Sequence, residues 1–184
     1  MMTPNHGTAG LLLSLTVTGW YPELVGMIAF CALLGGVLPD LDVEWEHRKT
    51  LHYPVYYGVV TLLFLALTAI SNSVVAVAGL YFFGAAALHC YTDYFVAIEK
   101  SSDEPDGDGV LYLHPWRQWI GPKEIISYAG SPGDLLVGLL LAVPPLLYYS
   151  ELPFGLTVLS VTGTVLYFAK RQYSRHRTNS SAAV

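Results

Sequence analysis

Residues 39–52 read Pro-Asp-Leu-Asp-Val-Glu-Trp-Glu-His-Arg-Lys-Thr-Leu-His and lie between two long apolar runs. Only 12% of the whole chain is charged, yet this one stretch holds four carboxylates, two imidazoles and two cations. Carboxylate oxygen and imidazole nitrogen are common ligands of divalent metal ions. The stretch therefore predicts part of a metal site, and the remaining ligands are expected from other parts of the chain.

The composition on either side of this stretch is that of an integral membrane protein. Of the 184 residues, 53% are hydrophobic, and the mean hydropathy is +0.46; soluble domains have roughly 45–50% apolar residues. The 13 Tyr and 4 Trp residues suit membrane interfaces. A formal net charge of −5 provides no general basic surface, so nucleic acid is not an expected partner.

Apolar runs predict six helices in three hairpins. The runs cover residues 8–19 and 24–38, 53–70 and 74–92, and 133–149 and 154–169. The first two are shorter than the roughly 20 residues that span a bilayer without tilt, so the first hairpin either spans or re-enters. We predict an all-α polytopic bundle in a single domain (1–184), with a polar loop (94–132) and a basic tail (170–184). The alternative is four spans plus a re-entrant or interfacial hairpin.

The positions of the basic residues predict the orientation of the hairpins. All nine fall in segments that the hairpins place on one face, and none falls in the three short turns on the other; they are Arg48, Lys49, Lys100, Arg117, Lys123, Lys170, Arg171, Arg175 and Arg177. Cytoplasmic loops of membrane proteins carry an excess of Lys and Arg. We therefore expect a multi-pass protein of the cell membrane with both termini, residues 39–52 and the long loop in the cytoplasm.

Two Asp-containing motifs supply candidate ligands on that face. His89 and Asp93 are four residues apart in a helical pattern, which puts them on one helix face about one turn apart. Asp40 and Asp42 follow Gly35-Gly36-Val37-Leu38-Pro39, where the glycines and the proline are expected to end a helix. In an extended segment the two aspartates point apart, so we expect one to bind metal and the other to orient a histidine.

Histidines from different hairpins complete the predicted site. The predicted metal ligands are His6, Asp40, His52, His89, Asp93 and His114, and the residues predicted to assist catalysis are Asp42, His47 and Arg48. Arg48 is suited to hold a phosphate or carboxylate oxygen, or to pair with Glu44 or Glu46. A positive-inside membrane anchor is the alternative role for Arg48 and Lys49.

Five motifs follow one another along the first two-thirds of the chain: His6-Gly7, residues 38–42 (Leu-Pro-Asp-Leu-Asp), residues 47–52 (His-Arg-Lys-Thr-Leu-His), His89 to Asp93, and Gly109 to Pro115. This ordered set resembles the YdjM-type, LexA-regulated family of membrane-bound metal-dependent hydrolases. The family commonly has Gly in place of Lys49, and Ser where this chain has Tyr53. The resemblance implies a helical membrane protein with hydrolase-like metal motifs, and it carries no particular substrate.

These features together predict a metal-dependent hydrolase that faces the cytoplasm. One or two divalent ions, expected to be Zn²⁺ from the histidine content, would activate water and polarise the scissile bond of a phosphoester or lipid headgroup. The predicted partners are membrane lipids and a small anionic or lipid-like substrate. The alternatives are a non-catalytic protein that binds metal for structure, sensing or transport, and a scaffold in which the polar cluster only caps helices.

Overall fold

The computed structural model describes residues 1–44, 48–98 and 109–182. It is an all-α bundle, 75% helical, which confirms the predicted fold class. The helices are α1 (Thr3–Ser14), α2 (Val25–Val37), α3 (Pro54–Ser71), α4 (Val74–Asp93), α5 (Pro132–Tyr148) and α6 (Glu151–Ala182). Short 3-10 segments cover Leu15–Val17, Pro22–Leu24, Leu38–Glu44 and His114–Trp116, and two strands, β1 (Leu111–Leu113) and β2 (Gln118–Ile120), form one antiparallel pair.

Four of the described helical segments are long and apolar enough to cross a membrane: Pro22–Asp42, Pro54–Ser71, Val74–Asp93 and Glu151–Thr178. The first of these is α2 extended by 3-10 turns at both ends, which gives the second half of the first hairpin a spanning length. Helix α5 is apolar but shorter. Large apolar side chains such as Leu62 and Leu65 on α3 are exposed, as expected of a surface that faces lipid.

Helix α1 lies in the middle of the bundle, where it packs against α2, α4, α5 and α6. Its residues from Asn5 to Leu11 are all buried. Glycines on α2 permit this close packing: a Cβ on Gly36 would collide with the carbonyl of His6, and one on Gly35 would collide with the carbonyl of Phe82 on α4. Helix α2 ends at Val37, within the stretch of residues 35–39 that was expected to end it, and the two glycines serve close helix packing as well.

The polar loop and the basic tail contain more regular structure than the sequence indicated. Val96 forms a parallel bridge with Ile126, and both side chains are buried in one cluster with Met1, while Leu111 of β1 packs in a cluster with Tyr57 of α3. The strand pair β1–β2 therefore belongs to a segment that folds back onto the bundle. The basic residues 170–182 continue α6 as helix rather than forming a separate tail.

Candidate metal centre

The ends of α2 and α4 and the starts of α1 and α3 meet on one side of the bundle. The 3-10 segment after α2 carries Asp40 and Asp42, and His52 stands just before α3. The last turn of α4 carries Asp93, with His89 one turn earlier. His6 lies in α1 rather than just before it. The hairpin arrangement thus brings together residues that are up to 87 positions apart in the sequence.

Four side chains, Asp40, His52, His89 and Asp93, each offer a ligand atom, and these atoms all lie within 4.8 Å of one another. His89 Nε2 lies 3.2 Å from His52 Nε2, 3.3 Å from Asp40 Oδ1 and 3.7 Å from Asp93 Oδ2. His52 Nε2 lies 3.8 Å from Asp40 Oδ1 and 3.6 Å from Asp93 Oδ2. Ligands of a tetrahedral zinc ion at about 2.0–2.1 Å are themselves about 3.3 Å apart, so the group is slightly wider than a closed zinc site.

The hydrogen bonds at Nδ1 determine which way the two histidines present their lone pairs. His89 Nδ1 lies 2.6 Å from the carbonyl oxygen of Gly36, which can only accept, so Nδ1 carries the hydrogen. His52 Nδ1 lies 3.0 Å from Asp42 Oδ2, and an ionised carboxylate also only accepts. In both neutral rings Nε2 is therefore left with a lone pair.

With both rings neutral, the four facing atoms are all acceptors. Two imidazole lone pairs and two carboxylate oxygens point at one another in a place where His52, His89 and Asp93 are at most 2% exposed. Buried acceptors without a donor or a cation are costly because water cannot compensate them. The arrangement requires positive charge at its centre, from a metal ion or from added protons.

Asp40 lies in the group of four, and Asp42 lies behind His52 and holds its ring. Asp42 Oδ2 accepts from the backbone N–H of Leu51 at 3.1 Å as well as from His52. A carboxylate behind a ligating histidine fixes the ring and its tautomer. The segment is a 3-10 helix rather than the extended chain that was expected, but the two side chains still point to different partners.

His6 lies beside the group of four and holds the other oxygen of Asp93. Its Nε2 is 3.1 Å from Asp93 Oδ1, its Nδ1 is 3.1 Å from the Thr92 hydroxyl, and its ring stacks on His89 with centroids 3.6 Å apart. Burial lowers the pKa of His6 to about 4, so the imidazole is neutral at pH 7. The α-amino group of Met1 donates to the same Asp93 oxygen at 2.7 Å.

Two other predicted residues, His114 and Arg48, are described but are not members of the group of four. His114 is outside the group of four, because its Nε2 is bonded to the carbonyl of Lys49 at 3.0 Å and its ring packs against Tyr53 at 4.5 Å. Arg48 adopts a left-handed backbone conformation with φ 65°, and its Nε is buried without a hydrogen-bond partner in the described part of the chain. His47 lies outside the described residues.

Sequence reasoning missed two parts of this centre. The Gly36 carbonyl that orients His89 is a backbone group, and no sequence pattern marks it. The Thr92 hydroxyl donates to the His89 carbonyl at 2.9 Å while it contacts His6, and its position next to Asp93 was the available signal.

The chain matches no family model, no curated protein and no solved structure. What the structure establishes is a helical protein with four helices of membrane-spanning character and a buried His/Asp group that could hold a metal ion.

Proposed function

We propose that this protein is an integral membrane metal-dependent hydrolase whose His/Asp centre faces the cytoplasm and acts on a phosphoester. The observation that carries the proposal is the set of four potential ligand atoms from Asp40, His52, His89 and Asp93, three of them on buried residues and all within 4.8 Å of one another. A divalent cation satisfies all four at once. A proton on one of these atoms satisfies only the atoms that it lies between.

The donor set favours zinc. Two imidazoles and two carboxylates fit the borderline character of Zn²⁺. The separations that involve His52 or His89 are 3.2–3.8 Å, and all four atoms lie within 4.8 Å of one another, so a bound ion would draw the group together. Asp42 and the Gly36 carbonyl already hold the two rings in the tautomers that ligation needs. When bound, such an ion supplies Lewis acidity and lowers the pKa of a coordinated water.

The chain's own residues support a catalytic role on the Asp40 side of the centre. The Asp40 side chain is 11% exposed, whereas the side chains of His52 and Asp93 are 1% and 3% exposed. The group of four is therefore most accessible from the Asp40 side. A catalytic zinc site keeps one position open to water or substrate, and the least buried ligand marks where that position would lie.

An anionic substrate is supported by Arg48. Its buried Nε is a donor without a partner in the described part of the chain, and it belongs to the segment that leads directly to His52. Arginine binds phosphate oxygens through paired N–H groups and stabilises charge that develops in the transition state. This segment connects two of the apolar helices of spanning length, Pro22–Asp42 and Pro54–Ser71, and a phosphate-bearing lipid headgroup is therefore a suitable substrate.

The second candidate function is a non-catalytic metal site that stabilises the bundle or senses metal. The observation in its favour is that four protein ligands, three of them almost wholly buried, resemble the closed coordination of structural zinc sites. Its ligands join α2, α3 and α4, so a bound ion would link these helices.

Metal analysis of the detergent-purified protein, followed by turnover assays on a phosphoester panel, tests the proposal. We expect bound zinc in the wild type, its loss in Asp40→Ala and His89→Ala, and its retention in the control His176→Ala, whose residue lies on the exposed end of α6. Metal-dependent phosphoester turnover would support the hydrolase. Absence of bound metal would refute the metal centre. Bound metal without phosphoester turnover would refute the hydrolase and favour the non-catalytic metal site.

The membrane orientation is tested separately. A C-terminal reporter should be found in the cytoplasm, as the distribution of Lys and Arg predicts. An external reporter would contradict the cytoplasmic placement of the centre.

A further inference from the structure

A second buried polar cluster lies where α1 meets α5 and α6. It consists of Asn5, Ser131, Asp134 and Thr164, each at most 2% exposed. None of these residues belongs to the group of four around His89. A fully buried carboxylate is costly unless it is well matched, so the partners of Asp134 decide what the cluster does.

The two oxygens of Asp134 collect donors from three parts of the chain. Oδ2 accepts from the backbone N–H groups of Met2 and Gly130, both at 2.9 Å, and Oδ1 accepts from Asn5 Nδ2 at 2.8 Å. A carboxylate provides acceptors at both oxygens. An amide in its place would direct an NH₂ group at one set of these donors, so the geometry calls for Asp specifically.

Asn5 links Asp134 to the first turn of α1. Its Nδ2 also donates to the Asp134 carbonyl at 2.8 Å, and its Oδ1 accepts from the Thr164 hydroxyl at 2.7 Å. The amide fits against Gly138 on α5, where a Cβ would collide with it. The first turn of α1 is therefore fixed to both α5 and α6.

This first turn bears on the metal centre directly. His6 follows Asn5 in the chain, bonds Asp93 Oδ1 at 3.1 Å and stacks on His89. On its other side the His6 carbonyl lies against Gly36, whose own carbonyl holds His89 Nδ1. A shift of this turn would displace His6, and through it the Asp93 carboxylate and the His89 ring.

We propose that Asp134 is a positioning residue for the metal centre, which it serves by fixing the first turn of α1 so that His6 braces Asp93 and His89. The inference rests on the proposed metal centre and adds a residue that touches neither the metal ligands nor a substrate.

The opposite end of α1 provides a matched control. Ser14 Oγ lies 2.7 Å from the Tyr149 hydroxyl, which also donates to the Leu11 carbonyl at 3.2 Å. These bonds join α1 to the end of α5, the same helix that carries Asp134. Ser14 is eight residues from His6, which is about 12 Å along a helix. Tyr149→Phe should therefore loosen the α1–α5 contact without moving His6.

The experiment compares the wild type with Asp134→Asn, Thr164→Val and Tyr149→Phe, using zinc affinity by chelator competition and the visible absorption spectrum of the Co²⁺-substituted protein. We expect about tenfold weaker zinc binding and an altered Co²⁺ spectrum in Asp134→Asn, since changes behind metal ligands cost 10–100-fold in affinity. Thr164→Val should shift both readouts in the same direction by less. Tyr149→Phe should lower thermal stability with both readouts unchanged.

Wild-type affinity and spectrum in a folded Asp134→Asn variant would overturn the positioning role. If that variant does not fold, Thr164→Val decides, and wild-type values there would overturn it. If Tyr149→Phe changes zinc affinity and the Co²⁺ spectrum as much as Asp134→Asn does, the positioning role is also overturned, because the effect would then come from α1 packing in general. If the wild type binds no zinc, the metal centre itself is refuted, and this inference fails with it. That result differs from normal zinc binding in the variants, which would refute the positioning role alone.

Discussion

The metal centre and the Asp134 cluster are both buried, both polar and both in contact with the first turn of α1, yet their acceptors are matched in opposite ways. Around Asp134, three N–H donors meet the two carboxylate oxygens at 2.8–2.9 Å. Around His89, imidazole and carboxylate acceptors face each other at 3.2–3.7 Å. The hydrogen bonds of the first cluster are all supplied by the protein, whereas the second cluster could hold a metal ion among its facing acceptors.

The largest expected effect comes from removing a ligand at the centre. His89→Ala removes the nitrogen that lies closest to both His52 and Asp40, so we expect the protein to lose stoichiometric zinc. Metal content after gel filtration in detergent measures this. His176→Ala is the control. If His89→Ala retains zinc, the metal binds at a different site.

The next effect tests the residue behind a ligand. Asp42→Asn keeps the shape of the side chain but removes the charge that holds the Nδ1–H of His52, so zinc affinity should fall 10–100-fold. Chelator competition measures the affinity. Unchanged affinity would mean that His52 is oriented by other contacts and that Asp42 is not part of the centre.

The Asp134 cluster should respond in stability. Gly138→Ala places a methyl group against the Asn5 amide, and overpacking of this kind lowers the free energy of unfolding by about 1–3 kcal/mol. Gly155→Ala on α6 meets no atom within 4 Å and is the matched control. Thermal melts of both variants in one detergent measure the difference. Equal melting temperatures would contradict the tight packing of Asn5 against Gly138.

The smallest effect concerns the substrate. Arg48→Lys keeps the positive charge but removes the guanidinium fork, and we expect about a fivefold lower kcat/KM on phosphoesters with zinc content unchanged. Lys123→Gln alters an exposed cation in the long loop and should have no effect. Loss of zinc in Arg48→Lys would show that the arginine supports the centre instead of the substrate.

The helices were predictable because their apolar runs stop at polar turns. The predicted 53–70 and 74–92 are observed as Pro54–Ser71 and Val74–Asp93. Helix α6 continues to Ala182 because Lys and Arg are good helix formers, so the change from apolar to basic residues ends the membrane-facing part without ending the helix. Strands β1 and β2 are three residues each, too short for alternation to be recognised.

The ligand group was predictable where residue type and spacing coincide. His89 and Asp93 share a helix face, and the dense segment contains Asp40, Asp42 and His52. His114 was predicted as a metal ligand but lies outside the group of four. A histidine in a long loop has many available partners, and this one bonds the Lys49 carbonyl and packs against the Tyr53 ring. Asp134 was missed because a single Asp at a helix start is ordinary, and its partner Asn5 is 129 residues away.

X-ray absorption at the zinc edge of the purified protein tests the central claim most directly. The account predicts one zinc ion per group of four, surrounded by two imidazole nitrogens and two carboxylate oxygens at about 2.0–2.2 Å. No bound zinc after equilibration with micromolar Zn²⁺ would contradict it. A scatterer at about 2.3 Å would also contradict it, because that distance indicates sulfur and would assign the metal to the neighbouring Cys90.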